Sequence, residues 1–324
     1  MARSGTAALS RLREAGCELT LPVLSSKPSG AALKALLLGM DGVIASVEKY
    51  DSAVFSDPDL AQLKLISRWG VGFDSIDIPA ASDAGILVAY TPGFLNETVA
   101  DYSFSLLCAL ARRVHTGHLE LSQGRWIPSW GHNIHGKTLG IVGCGRIGQV
   151  MARRASGFGM RILATDPQPS TEARATGVQY VSFEELLEQS DFISIHAAST
   201  PETRGMFNEQ ALRRMKPSAY LINTSRGALV EEVALAKALR EGLIAGAALD
   251  TFVIEPLPKD HPFADAPNLL LTPHQASFTK ETGALVSDAA AQAVLDAMCG
   301  KAPRFLVDPM AVQSPRLRLS LKSN

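Results

Sequence analysis

Cysteine is scarce in this 324-residue chain, and its four copies are scattered along it. Cys17, Cys108, Cys144 and Cys299 form no C-x-x-C pair. This spacing excludes the disulfide framework of a small secreted domain and fits a reducing compartment. We therefore expect a cytoplasmic protein.

The chain also lacks net charge, long apolar runs and internal repeats. Its formal net charge is −1, so nothing marks it as a binder of nucleic acid or of a membrane surface. No apolar run reaches the length of a membrane span, and the amino terminus has no secretory hydrophobic segment. We expect neither a nucleic-acid nor a membrane partner. The basic start is also compatible with a transit peptide, although it equally predicts an amphipathic helix.

Hydrophobic residues make up 46% of the chain, which is enough for a sizeable core. Short apolar runs alternate with helical patterns, which predicts an α/β protein with two doubly wound parallel sheets. One unit is expected to be inserted in the other, with domains 1–95 plus 283–324, and 96–282. The patterns predict an early strand over 18–24, a long helix over 98–115 and a six-stranded sheet in the inserted unit.

A glycine turn between a predicted strand and a predicted helix is the most informative motif. Gly143, Gly145 and Gly148 follow an apolar run with G-x-G-x-x-G spacing. Such glycines permit a tight turn, let the backbone approach a pyrophosphate and let the helix pack close to the strand. A second strand ends at Asp166, about 20 residues on, where a carboxylate binds the ribose of a dinucleotide. The combination predicts a dinucleotide site, and the alternative is a glycine turn without a ligand.

Asp166 also predicts NAD rather than NADP. A carboxylate accepts a hydrogen bond from the ribose 2′-OH and repels a 2′-phosphate. The residues that follow, Pro167-Gln168-Pro169, supply no arginine to offset that repulsion.

Three polar residues in the second half follow predicted strands, at the edge where open α/β sheets bind ligands. Arg226 comes directly after an apolar strand and can grip a carboxylate with both arms of its guanidinium. Glu255 lies in a proline-rich loop from which it can orient a histidine, and His274 ends a strand and precedes small residues. Taken singly, each has a plainer alternative: a surface arginine, a solvated acid and a structural histidine.

Two H-x-x-H pairs, His115 with His118 and His132 with His135, raise the alternative of a metal site. No cysteine or carboxylate joins them in the sequence, and they flank a helix end and a loop. We therefore predict solvated or interface histidines and no metal.

Six motifs carry a resemblance to a known family. They are S-R-W-G-V-G-F-D at 67–74, G-K-T-L-G-I-V-G at 136–143, M-K-P at 215–217, N-T-S-R-G at 223–227, G-A-A-L-D at 246–250 and T-P-H at 272–274. Together they resemble the D-isomer-specific 2-hydroxyacid dehydrogenases, most closely the phosphoglycerate-dehydrogenase-like branch, over residues 11–309. The resemblance implies a Rossmann NAD-binding domain inserted in a flavodoxin-like substrate domain. It also implies interconversion of a small D-2-hydroxy acid and its 2-keto acid, with a hydroxypyruvate-, glycerate- or phosphoglycerate-like substrate.

The resemblance also implies roles for individual residues. Arg226 matches the arginine that binds the substrate carboxylate and carbonyl. Glu255 matches the acid that pairs with the general acid/base, which is matched by His274. Val71 and Gly72 match the segment that offers backbone N–H groups to the carboxylate. The expected cofactor-binding residues are Gly143, Gly145, Arg146, Ile147, Gly148, Asp166, Thr224, Ser225 and Asp250.

The sequence departs from the family pattern in three places. The loop after His196 has Ala-Ala-Ser-Thr where a proline is usual, and Gln275 stands where a small aliphatic residue is common. The family opens with a strand, whereas this chain starts at the following helix, so either the start is truncated or another segment takes that place. Formate dehydrogenases also resemble the chain but have glutamine at the position of Glu255. The alternative function is a non-catalytic NAD-binding scaffold of the C-terminal-binding-protein corepressor type.

Two further expectations concern surfaces. The helix over 98–115 is apolar on more faces than one sheet covers, and with the loop bearing Trp126 and Trp130 it predicts a homodimer, as the resemblance also implies. The tail over 316–321 alternates like a half-buried strand and is expected to pack on the substrate domain, the alternative being a disordered basic tail.

Overall fold

The structure is a computed structural model that describes residues 5–22, 28–46 and 48–322. It divides into two compact units, one formed by Met1–Leu95 with Phe278–Asn324 and the other by Asn96–Ser277. The second boundary lies at 277/278 rather than at the expected 282/283, because the last long helix belongs from its start to the first unit.

The elements follow one another as parallel strands and helices. The strands are β1 (Gly42–Ala45), β2 (Leu65–Arg68), β3 (Leu87–Ala89), β4 (Thr138–Val142), β5 (Arg161–Thr165), β6 (Gln179–Tyr180), β7 (Phe192–Ile195), β8 (Tyr220–Asn223), β9 (Gly246–Leu249) and β10 (Leu269–Leu271). The helices are α1 (Thr6–Glu14), α2 (Gly30–Leu37), α3 (Ser52–Phe55), α4 (Ile78–Asp83), α5 (Asn96–Ala111), α6 (Val114–Ser122), α7 (Arg146–Ser156), α8 (Thr171–Ala175), α9 (Phe183–Gln189), α10 (Glu209–Arg214), α11 (Glu232–Arg240) and α12 (Lys280–Met298). Short 3₁₀ helices cover Pro58–Leu60, Gly227–Leu229 and Pro309–Gln313.

In the described part of the first unit, β1, β2 and β3 form a parallel sheet with β2 in the middle. One face packs on α12, where Leu65 and Leu87 meet Ala293 and Ala297. The strand expected over 18–24 is wrong for residues 18–22, which lie in no strand, and residues 23 and 24 fall outside the described residues. A strand needs a hydrogen-bonded neighbour; Leu19 instead packs by its side chain on the α1–α12 contact.

The carboxyl-terminal tail packs on the first unit. Leu317 and Leu319 contact the apolar cluster beneath α12, and the Arg318 N–H donates to the Gly85 carbonyl at 2.9 Å. The Arg318 guanidinium donates to the carbonyl of Leu60 at 2.8 Å. The tail is therefore ordered against this unit, although as an irregular segment rather than a strand.

The second unit is built on a seven-stranded parallel sheet with the order β10-β9-β8-β7-β4-β5-β6. It has seven strands where six were expected, and β10 forms the edge beside β9. The chain moves outward from β4 in one direction through β5 and β6, and in the other through β7 to β10. Open α/β sheets bind ligands at such a reversal of strand order, beyond the carboxyl ends of the strands. The α/β fold with parallel sheets is confirmed.

The predicted helix over 98–115 is wrong in its second part. It ends at Ala111 as α5, and α6 follows after Arg113, whose φ is +54°. The Arg113 Nη1 donates to the Asn268 Oδ1 at 3.2 Å. The chain breaks where this long-range contact forms, and no glycine or proline marks the position in the sequence.

Among the described residues, no helix has both the length and the apolar character needed to cross a bilayer.

Candidate active site

The glycine turn lies at the carboxyl end of β4, where the strand order of the sheet reverses. Gly143 has a φ of +88°, and a Cβ there would lie 2.5 Å from the backbone nitrogen of Ala197. A Cβ on Gly148 would lie 2.3 Å from the Gly143 carbonyl oxygen. A Cβ on Gly145 would meet nothing within 4 Å. The first and third glycines are thus required by the protein's own packing, whereas the second borders open space that a ligand can occupy.

The amino end of α7 opens onto the same space. Gly145 is its N-cap, and no side chain in the described ranges caps the helix. Arg146 and Ile147 are the first helical residues, so the N–H groups of this turn suit an anion. Asp166 follows β5, and its Oδ1 accepts the Gln168 N–H at 2.8 Å. Turn, helix end and carboxylate lie at neighbouring strand ends, as a dinucleotide requires.

Thr224, Ser225 and Arg226 follow β8 directly. The buried Thr224 hydroxyl lies 2.7 Å from the buried Ser103 Oγ on α5. The Ser225 Oγ donates to the carbonyl of Ala197, in the loop after β7 where the usual proline is missing. These bonds hold the segment against α5 on one side and the neighbouring loop on the other.

Asn223 shapes the turn that carries Arg226. Its Oδ1 accepts the Ser225 N–H at 3.0 Å, and its Nδ2 donates to the Arg226 carbonyl at 2.8 Å. The half-buried Arg226 donates from Nη1 to the Ser225 carbonyl at 2.8 Å. Asn223 is fully buried. It was not among the expected site residues, although its place at the head of N-T-S-R-G was a usable signal.

Gly227 brings the arginine turn against the loop after β9. A Cβ at Gly227 would lie 2.1 Å from the carbonyl carbon of Phe252 and 2.5 Å from the nitrogen of Val253. Only glycine permits this approach of two backbones. Arg226 and the loop that carries Glu255 are therefore tied together through their main chains.

The structure brings His274 and Glu255 together. The His274 Nδ1 lies 2.9 Å from Oε2 and 3.1 Å from Oε1 of Glu255, whose Oε1 also accepts the Phe252 N–H at 3.0 Å. The two side chains are 34% and 24% exposed. Because a carboxylate accepts, Nδ1 carries a proton, and Nε2 makes no hydrogen bond within the described residues. Nε2 is thus the atom placed to exchange a proton with a substrate.

Asp250 anchors the segment that carries His274. It is fully buried, and its Oδ1 accepts the Thr272 hydroxyl at 2.6 Å and the Gln275 N–H at 3.0 Å. Its Oδ2 accepts the Ala276 N–H at 2.8 Å. Burial raises the pKa of the Asp250 carboxyl, although these hydrogen bonds oppose the change. The anchoring holds His274 at a φ of +50°, which is uncommon for a residue with a Cβ.

Val71 and Gly72 lie in the first unit, in the loop after β2. The buried Arg68 shapes this loop, since its Nε donates to the Gly72 carbonyl at 2.8 Å and its Nη1 donates to the Trp69 carbonyl. That Val71 and Gly72 bind the substrate carboxylate stays a prediction.

Gln275 has a partner that the sequence could not indicate. Its Nε2 donates to the Tyr102 hydroxyl on α5 at 2.7 Å. This hydrogen bond joins residues 173 positions apart in the sequence. It explains why a polar side chain stands where the family pattern often has a small aliphatic one. No local pattern marks such a pair.

Three of the four histidines in the two H-x-x-H pairs have other contacts. The His132 ring packs on Tyr220 with centroids 5.7 Å apart, His135 Nδ1 lies 3.1 Å from the Phe158 carbonyl oxygen, and His115 Nδ1 lies 3.3 Å from that of Ala109. Within the part of the chain that the structure describes, no group of three or more His, Cys, Asp or Glu is placed to hold a metal ion.

Comparison with known proteins identifies this arrangement. Residues 104–276 match the model of the D-isomer specific 2-hydroxyacid dehydrogenase NAD-binding domain. A glyoxylate reductase of Korarchaeum cryptofilum is 45% identical over 78% of this chain and 78% of its own. The chloroplastic D-3-phosphoglycerate dehydrogenase 2 of Arabidopsis thaliana is 36% identical over 92% of this chain and 47% of its own. The TT0316 protein of Thermus thermophilus superposes with a TM-score of 0.85 at 39% identity, over 94% of this chain and 97% of that one.

The uncrowded glycine, the uncapped helix end and the carboxylate after β5 fit NAD, and the family model is that of its binding domain. The chain therefore belongs to the D-isomer-specific 2-hydroxyacid dehydrogenases, NAD-dependent oxidoreductases that act on a CH–OH group.

Proposed function

We propose that the protein is a reductase of small 2-keto acids that converts glyoxylate to glycolate with NADH. The observation that carries the proposal is the His274–Glu255 pair, with 2.9 Å between Nδ1 and Oε2. The close approach of the Gly227 and Phe252 backbones places the Arg226 turn against the loop that carries Glu255. The choice of glyoxylate rests on relatives, such as that of Korarchaeum cryptofilum, that are named glyoxylate reductases.

His274 has the geometry of a general acid in this reaction. Its Nδ1 proton is committed to Glu255, which fixes the orientation of the ring. Nε2 then donates a proton to the carbonyl oxygen as negative charge develops there. The reverse reaction uses the neutral ring as a base toward the hydroxyl.

The nicotinamide, when bound, supplies the hydride that forms the new C–H bond. Arg226 supplies a fixed guanidinium that binds the substrate carboxylate and offsets the charge on the carbonyl oxygen. Val71 and Gly72 are proposed to complete carboxylate binding with their N–H groups. Gly143, Gly145 and Gly148, with the first turn of α7, hold the pyrophosphate, and Asp166 holds the adenosine ribose. Thr224, Ser225 and Asp250 line the strand ends beside them and are proposed as cofactor contacts.

A substrate panel tests the choice of substrate. We expect NADH-dependent reduction with kcat/KM highest for glyoxylate among glyoxylate, hydroxypyruvate and pyruvate, and weak turnover of phosphohydroxypyruvate. A preference for the phosphorylated acid would overturn glyoxylate in favour of the phosphoglycerate-like substrate. A protein that binds NADH but reduces none of these acids would instead fit the corepressor-type scaffold, which the enzyme names of the relatives do not favour.

Two variants test the proton transfer. His274→Ala should lose at least about 10²-fold in kcat, the usual contribution of a general acid, and still bind NADH. Glu255→Gln should also lose kcat, because a neutral amide accepts the Nδ1 hydrogen more weakly than a carboxylate and holds the ring less firmly. Near-normal kcat in His274→Ala would remove the histidine from the mechanism.

We also propose a homodimer formed through an apolar surface, which comprises α6 and the loop to residue 130. None of the residues of α6 is buried, and Trp126 and Trp130 are 85% and 96% exposed. Exposed apolar area of this kind marks interaction sites. Sedimentation at micromolar concentration should show twice the 34.5 kDa chain mass, and Trp126→Ala with Trp130→Ala should shift it toward the monomer. A wild-type monomer would refute the dimer.

A cytoplasmic location also stays a proposal, which the four free cysteines favour.

A further inference from the structure

A second histidine–carboxylate pair lies in the same unit and takes no part in the proton transfer. The His261 Nε2 is 3.0 Å from the Glu232 Oε2, and the two side chains are only 10% and 11% exposed. This pair is more deeply buried than His274 and Glu255, which are 34% and 24% exposed. Burying such groups is costly unless every polar atom finds a partner. What the other atoms of the pair bind therefore indicates its role.

The other oxygen of Glu232 binds the catalytic loop. The Oε1 accepts the Val253 N–H at 2.9 Å, while the preceding N–H, that of Phe252, donates to Glu255 at 3.0 Å. Two consecutive amides are thus held by two carboxylates. Val253 and Ile254 are 59% and 60% exposed, so packing of their side chains does little to hold this segment. Glu232 is a main anchor of the loop between β9 and Glu255.

His261 fixes the direction of the Glu232 carboxylate. Its Nδ1 accepts the Phe263 N–H at 3.3 Å, so Nδ1 is unprotonated and Nε2 carries the hydrogen donated to Oε2. The ring also packs on Phe263, with centroids 4.5 Å apart, and Phe263 is buried. The histidine therefore has one tautomer and one orientation, and it leaves Oε1 of Glu232 facing Val253.

We propose that Glu232, oriented by His261, is a positioning residue that holds the Glu255 loop and thereby sets the His274–Glu255 geometry. Without the Val253 anchor the loop shifts, and Glu255 no longer holds the Nδ1 proton in the direction that aims Nε2 at the substrate. The inference rests on the catalytic roles proposed above for His274 and Glu255.

The first test compares Glu232→Ala with Glu231→Ala as a matched control. Glu231 is the adjacent, exposed residue, and its side chain does not cap α11. Glu232→Ala should lower kcat by about 10- to 100-fold, the range expected when a reacting group is displaced by up to about 1 Å. The KM for NADH should stay within about twofold, since the glycine turn is untouched. Glu231→Ala should behave as the wild type, and a Glu232→Ala enzyme with wild-type kcat would overturn the proposal.

A double-mutant cycle separates positioning from general damage to the fold. In the Glu255→Gln background, Glu232→Ala should lower kcat by less than about threefold, because the carboxylate whose position it secures is gone. Equal losses in both backgrounds would show that Glu232 acts independently of Glu255, and this would overturn the inference. If Glu255→Gln alone leaves kcat unchanged, the proposed catalytic pair fails instead, so the two failures are distinguishable.

Conservative variants provide the test if Glu232→Ala does not fold. Glu232→Gln keeps a carbonyl oxygen for the Val253 N–H, so it should fold and retain clearly more activity than Glu232→Ala, including the case in which Glu232→Ala is inactive because it does not fold. His261→Gln keeps a donor near Nε2 and should retain more kcat than His261→Leu, which leaves the Glu232 carboxylate without its hydrogen-bond donor. Glu232→Gln as inactive as Glu255→Gln, or equal kcat in the two His261 variants, would refute the assigned hydrogen bonds.

Discussion

Replacing Gly145 by alanine tests the cofactor site without disturbing the protein around it. Gly145 has φ −74° and ψ −153°, an extended conformation in which alanine is tolerated, and its Cβ would meet nothing within 4 Å. Replacing a glycine N-cap by alanine weakens the cap, which destabilises the folded protein. It also lowers the entropy of the unfolded chain, which stabilises the folded protein, and each effect is less than about 1 kcal/mol. We therefore expect the unfolding free energy of Gly145→Ala to stay within about 1 kcal/mol of the wild type.

Binding of NADH should respond quite differently. The added methyl group occupies the space through which a pyrophosphate reaches the N–H groups at the start of α7. Loss of one charge-assisted hydrogen bond costs about 1.5–3 kcal/mol, which corresponds to roughly a 10- to 100-fold rise in Kd. Titration of NADH fluorescence measures Kd, and thermal unfolding of the same samples measures stability.

Gly148→Ala is the matched contrast, since the same methyl group is added three residues along the turn. Its Cβ would lie 2.3 Å from the Gly143 carbonyl oxygen, so α7 must shift. Overpacking of this kind costs about 1–3 kcal/mol, and Tm should fall measurably. The reasoning is refuted if Gly145→Ala binds NADH like the wild type, or if both variants lose the same stability.

Three further predictions follow from single side chains. Asp166 should give a kcat/KM with NADH well above that with NADPH, and equal values would show that its carboxylate does not contact the ribose. Burial lowers the pKa of His196 to about 4, so the unfolded chain binds a proton that the folded chain does not, and the unfolding free energy should fall as pH drops from about 6.5 toward 4. Urea unfolding of His196→Gln should show a decline between pH 7 and 5 that is smaller by about 2 kcal/mol, whereas an unchanged decline would exclude His196 as its source. Asp250→Asn should lower stability by about 1–3 kcal/mol, because its amide NH2 would face either the Ala276 N–H or the donors of Thr272 and Gln275, and a wild-type Tm would contradict this anchoring role.

Elements that depend on near neighbours are the ones that local patterns in a sequence can predict. The Ser182 and Asn208 side chains cap α9 and α10 by accepting the N–H three residues on, and each such cap is formed within one turn of chain. The α5–α6 break escaped prediction because Arg113 takes its left-handed conformation where it contacts Asn268, which is 155 positions away. Hydrophobic periodicity contains no information about such a partner.

The sequence by itself determined the glycine turn, the parallel α/β order and the motifs that carry Arg226, Glu255 and His274, because spacing along the chain defines each of them. Only the tertiary structure decided how these residues are held. Gly227 against Phe252, and Glu232 against Val253, join segments that are brought together when parallel strands align their carboxyl ends. Their hydrogen bonds depend on distances in space between residues that are remote in sequence, and the packing of the whole sheet sets those distances.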